Sequence, residues 1–92
     1  MEIKHTNTDS KGRFYIEDEE GLAAEMTYSI AGQDKIIIDH TEVAERLRGK
    51  KVGNLLVEAA VSFAREKNIK ILPLCPFAKR VMEKNNEYSD VL

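Results

Sequence analysis

Four cations crowd six consecutive positions, Arg46-Leu47-Arg48-Gly49-Lys50-Lys51, and Val52-Gly53 follow directly. Apolar residues then recur at helical spacing through Leu55, Leu56, Ala59, Phe63 and Ala64. A β-branched run, Ile36-Ile37-Ile38, comes shortly before. Strand, glycine-bearing turn and helix start are together what a phosphate group requires. Glycine lets the backbone come close, the first helical amides point at the anion, and the helix dipole favours negative charge. The bland alternative is a solvated charged face. A nucleoside triphosphate is disfavoured, because the pattern G-x-x-x-x-G-K-[ST] is absent.

Two further places carry reactive side chains. His40 and Glu42 alternate onto one strand face near the end that approaches the turn, where either could take a proton from an amine nucleophile. Read without function, they are a surface pair or a structural hydrogen bond. Cys75 sits where a strand ends and Pro76 opens a helix, so it is placed to cap that helix, where amide dipoles favour thiolate. It is a candidate nucleophile, a proton donor to a departing thiolate, or a redox-sensitive neighbour of a cofactor thiol. Its ordinary alternative is a small core hydrophobe. Two histidines 35 positions apart and one cysteine make no metal-ligand spacing.

The elements that must position these groups follow from periodicity. Met1 to Lys11 reads as a fraying polar tail, and His5 has no partner pattern there. Arg13 to Asp18 alternates, with Phe14 and Ile16 on one face. After the turn Glu19-Glu20-Gly21, Leu22 to Ile30 alternates again, and Lys35 to Val43 forms a third strand, giving an antiparallel meander. A helix is expected from Val52 to Lys67, with Asn68 as a left-handed cap. Ile69 to Cys75 then returns as a strand parallel to Lys35–Val43. Pro73 lacks an amide hydrogen, which fits an edge position or a splay between the two parallel strands. Pro76 starts a last helix ending at Asn85-Asn86, and Tyr88, Val91 and Leu92 are expected to pack back.

Ninety-two residues, 42% apolar and 33% charged, describe one α/β domain with a modest core. A net charge of -2 argues against a general nucleic-acid binder. No apolar run reaches the ~20 residues of a membrane span, and Met1-Glu2-Ile3-Lys4-His5 has no signal core. A lone cysteine points to a reducing, cytoplasmic compartment.

Arg48-Gly49-Lys50-Lys51-Val52-Gly53 resembles the pyrophosphate loop of the GNAT N-acetyltransferases, Q/R-x-x-G-x-G/A. With His40-Thr41-Glu42-Val43 before it and Leu74-Cys75-Pro76-Phe77 after it, the chain is similar to a subfamily of very small GNAT-like proteins, over roughly Arg13 to Leu92. Lys51 stands where the superfamily usually has its central glycine. The resemblance implies a reduced GNAT fold, in which a three-stranded antiparallel meander precedes a parallel strand-helix-strand unit and a C-terminal helix. It implies acetyl-coenzyme A as co-substrate, without metal. Thr41, Val43, Arg48, Gly49, Lys50, Lys51, Val52, Gly53, Asn54, Cys75, Pro76 and Phe77 would hold it, and Cys75, Glu42 and His40 are the catalytic candidates. The usual GNAT domain has a pair of helices between its first two strands, and only Glu19-Glu20-Gly21 stands there. An acceptor side open in this way suits a protein or peptide amine. The alternative function is a non-catalytic acyl-coenzyme A binding or sensing module. Weaker still is an interaction domain whose basic loop touches RNA.

Overall fold

A computed structural model describes residues 2–92. Strand β1 spans Lys4–Asn7, β2 Lys11–Asp18, β3 Gly21–Ile30 and β4 Lys35–Val43. A 3-10 turn at Glu45–Leu47 leads to helix α1, Val52–Lys67. Strand β5, Lys70–Pro73, helix α2, Pro76–Lys84, and a 3-10 stretch at Asn86–Val91 complete the order. The five strands form one sheet in sequence order, antiparallel except that β5 runs parallel to β4. The α/β architecture is the expected one, with one strand more.

That strand corrects the expected frayed tail. Met1 lies outside the described residues, but Lys4–Asn7 pairs in register with Gly12–Tyr15. Its residues are polar and exposed, so no apolar alternation announces it. His5 explains why it docks: its ring stacks on Phe14 at 4.2 Å and meets Phe63 edge-on at 4.8 Å. The Tyr28 hydroxyl also lies 2.6 Å from His5 Nε2.

The core forms because alternate strand residues share one face. Phe14 and Ile16 of β2, Met26 and Tyr28 of β3, and Ile36 and Ile38 of β4 are all buried. Against them α1 turns Val52, Leu56, Val57, Ala60, Val61 and Ala64, and α2 turns Ala78 and Met82. Helix α1 packs across β2 to β5, and α2 across β4 and β5. Tyr88 and Val91 pack back as expected, whereas Leu92 stays 44% exposed. Asn68 ends α1 in the left-handed conformation, φ 58° and ψ 47°.

Two irregularities set up the site. The β3–β4 register passes from Tyr28↔Ile38 to Thr27↔His40, so Asp39 is an extra residue. A bulge reverses which face each later side chain takes. Thr41 and Val43 therefore inherit the helix face from Ile36 and Ile38, and His40 and Glu42 turn to the open face. The second irregularity is where β5 leaves. Its pairing with β4 stops at Ile38↔Pro73, while β4 continues to Val43 paired only with β3. The Lys70 amide donates to Asp34 O at 2.8 Å, and the Leu74 amide to Ile38 O at 3.1 Å. Even-numbered residues of β5 thus face β4 with their backbone groups, and Pro73 has its missing amide on the outer edge. The edge reading accounts for Pro73; the two parallel strands do part beyond it, but its missing amide points away from β4 and is not the cause.

Candidate active site

The loop after β4 is shaped by two left-handed residues. Gly49 has φ 82°, and Lys51, the residue before α1, has φ 57° and ψ 31°. Lysine thus carries the conformation that glycine usually supplies. No side chain caps α1, and its first turn holds no acid. The amides of Val52, Gly53 and Asn54 are therefore free of side-chain partners at the positive end of the dipole.

The four cations separate into two groups. Arg46 grips Asp18, with Nη2 2.8 Å from Oδ1 and Nε 3.0 Å from Oδ2, and reaches Glu20 at 3.2 Å. It ties the 3-10 turn to the β2–β3 hairpin and is committed to that contact. The Arg46 guanidinium holds the Asp18 carboxyl below the usual carboxylate range. Arg48, Lys50 and Lys51 make no ion pair among the described residues.

A cavity of about 330 Å³ opens at this loop, lined by Val43, Leu47, Arg48, Gly49, Lys51, Val52, Gly53, Asn54 and Phe77. Most of the expected loop residues meet there; Lys50 is not part of the lining. Leu47 was not foreseen, because a helical turn alone does not show which way its side chain points. Gly53 also has a part inside the fold. A β-carbon at that position would run into the Phe77 ring, so the absent side chain makes room for α2 to dock on α1.

Cys75 and Pro76 stand where the sequence puts them, Cys75 before the first turn of α2 and Pro76 in it. The thiol is 5% exposed and donates to Thr41 Oγ1 at 3.4 Å. Burial pushes the Cys75 thiol up. The Thr41 hydroxyl, which turns to donate when the thiol ionises, and the backbone amides of Ala78, Phe77 and Thr41 outweigh that and hold it below its ordinary value. The bulge at Asp39 is what aims Thr41 at the sulfur.

His40 and Glu42 stand on the other face, with His40 Nε2 2.8 Å from Glu42 Oε1. They are 61% and 70% exposed. A second cavity, about 440 Å³, lies at the same end of β4, lined by residues 22–25 of β3, Thr41 to Ala44 and Arg48. Glu25 belongs to it and stands directly opposite Glu42 in register. The sequence alone does not reveal that pairing, since it depends on a long-range register. Among the described residues no group of three or more His, Cys, Asp and Glu side chains is placed to hold a metal, and no helix is long and apolar enough to cross a membrane.

Comparison with known proteins agrees with the architecture. A GCN5-like protein of Staphylococcus aureus, known from an NMR solution structure, superposes with a TM-score of 0.76 and 45% identity, over 98% of this chain and 85% of that one. The ribosomal-protein-alanine N-acetyltransferase of Brucella melitensis shares the fold at 16% identity, with a TM-score of 0.69 over 84% of this chain and 62% of that one. Protein NATD1 of Danio rerio is 29% identical over 62 residues, which are 67% of this chain and 56% of the relative. The match thus spans just over half of that curated relative. The profile of the GCN5-related N-acetyl-transferases matches residues 13–91. With nearly the whole chain so matched, this protein belongs to the GCN5-related N-acetyl-transferase family.

Proposed function

We propose that this domain binds acetyl-coenzyme A at the head of α1 and transfers the acetyl group to an amine. The observation that carries this reading is the uncapped start of α1, with three cations around it that have no ion pair among the described residues, and the unpaired edge of β4 beside it. Free amides, a positive dipole end and cations without an acidic partner suit a pyrophosphate and a further phosphate. Arg48, Lys50 and Lys51 would meet those charges, together with the amides of Val52, Gly53 and Asn54. The backbone of Thr41 and Val43, unpaired on the β5 side, offers hydrogen bonds to an extended amide-bearing arm. Pro76 and Phe77 line the head of α2 next to it. Bound acetyl-coenzyme A supplies an acyl thioester, whose C–S bond breaks as the acceptor nitrogen bonds to the acyl carbon.

The chain's own residues handle the protons. His40 donates through Nε2 to Glu42, which leaves Nδ1 as an acceptor for the proton lost by the amine, directly or through one water. Glu42 thereby orients the ring. The Thr41–Cys75 pair lies on the opposite side of β4, where the buried thiol can pass a proton through the Thr41 hydroxyl to a leaving thiolate. Direct attack by the amine fits this division better than an acyl-Cys75 intermediate, because the sulfur is nearly inaccessible.

The test has two stages. Acetyl-coenzyme A should raise the thermal midpoint, and Arg48→Ala and Lys50→Ala should each weaken binding about tenfold, more at low salt than at high. Thiol release on adding an amine then marks an enzyme, and binding without release marks a sensing module. Absence of any thermal shift, or one insensitive to both substitutions, would overturn the assignment. An acetylated Cys75 peptide in mass spectrometry would replace direct attack with a covalent route.

A further inference from the structure

The cavity on the hairpin side of β4 borders the proposed cofactor site through Thr41, Val43 and Arg48, but its remaining walls describe a ligand of another kind. It shares Val43 and Arg48 with the loop cavity, so the two meet at the end of β4. Its side chains differ in character. Leu22, 46% exposed, offers an apolar surface, and Ala23, Ala24 and Ala44 leave room. Glu25 and Glu42 stand opposite each other on neighbouring strands, an arrangement that costs free energy unless a cation lies between or beside them. Arg13 answers only Glu25, with Nη1 2.6 Å from Oε2. Glu42 has only the imidazole of His40.

The surroundings hold both signs, with Arg48 in the wall on the cofactor side and carboxylates in excess on the hairpin side. Asp18 and Glu20 share the one guanidinium of Arg46. Glu19 and Glu45 have no cation within ion-pair distance among the described residues. The hairpin between β2 and β3 turns within two residues, so nothing roofs the cavity.

We propose that this cavity receives the acceptor, a lysine side chain presented by a basic, extended peptide, and that Glu25 is its specificity-determining residue. This rests on the acetyltransferase reading above. The lysine methylenes lie along Leu22, and the ammonium approaches Glu25 and Glu42; it loses one proton to solvent before attack, and His40 takes the second as the nitrogen bonds to the acyl carbon. Basic neighbours in the peptide meet Glu19 and Glu45. A small enclosed amine has no lid to hold it here, whereas a peptide brings its own covering surface.

Fluorescence anisotropy of a labelled peptide, one lysine flanked by arginines, tests this without requiring turnover. Binding should weaken at least tenfold when the arginines are replaced by glutamates, and should fall with added salt. Glu25→Gln should weaken it about tenfold, while Arg13→Met, which removes the competing cation, should strengthen it about threefold. Both substitutions break the same ion pair, so a purely structural role would move both in one direction. That common direction, a flat salt series, or equal affinity for the glutamate peptide or for spermidine overturns the proposal. The thermal shift with acetyl-coenzyme A is read in parallel. A shift without peptide binding overturns the acceptor pocket alone, and peptide binding without a shift counts against the cofactor reading alone.

Discussion

Lys51 holds a backbone conformation that costs an L-residue about 1–2 kcal/mol relative to the right-handed region, and it does so where α1 begins. The cost is tolerated at a place where a cation is also useful. Lys51→Gly should relieve the strain and lose part of the gain to chain entropy, leaving a stabilisation of about 0.5–1 kcal/mol. In a domain of this size that is a rise in Tm of about 2–8 °C. The same substitution should lower affinity for acetyl-coenzyme A, because one positive charge is lost. Stability and affinity moving in opposite directions, read by thermal melts and calorimetry, is the expected outcome. A parallel fall in both would show that the loop depends on the lysine side chain for its shape.

Between elements, the contact that most constrains the site is Phe77 of α2 seated on Gly53 of α1. Gly53→Ala should cost about 1–3 kcal/mol in urea denaturation by forcing the ring aside, and Phe77→Leu in the same background should recover part of it. Lack of recovery would place the strain in the loop itself. Much of this level was legible in the sequence. Strand β4 and helix α1 have the expected bounds, and Asn68 the expected left-handed cap, because periodicity and local propensity are properties of neighbouring residues. What was not legible is what long-range pairing decides. His40 and Glu42 were expected on one face, and they share one, but only the bulge at Asp39 determines that it is the face away from the helices. Arg46 looked like its basic neighbours, and only the folded hairpin brings Asp18 and Glu20 to it. Strand β1 escaped notice because backbone pairing and a single stacked ring hold it, with no apolar stripe to read.

At the scale of the molecule, His5 fastens one margin of the sheet to the core, and partial desolvation of its ring against Phe14 and Phe63 lowers its pKa from the ordinary value of 6.5. The unfolded chain therefore binds this proton more readily than the folded one. Its contribution to stability is full above the unfolded value and declines as pH falls through and below 6.5. Tm should drop between pH 7.5 and 5.5, and His5→Phe, which keeps a ring on Phe14, should flatten that part of the profile; an unchanged slope would mean that other groups set it. The carboxyls of Asp18 and Asp90, lowered by Arg46 and Arg65, lose their contribution only as pH falls below their own ordinary value of 3.8. The opposite margin is built differently. An open strand end is where proteins stick to one another into fibres, since unpaired amides and carbonyls template the next chain. Along β5 the outward face of the backbone lacks one of those amides at Pro73, beside the exposed Leu72 and Leu74 that would otherwise invite such growth. Pro73 leaves the pairing with β4 intact, since the Leu74 amide still reaches Ile38 O, while it denies a stray strand its full ladder of bonds on the outer edge. One covalent ring thus blunts the free margin of the sheet without disturbing the strand pair that borders the cleft.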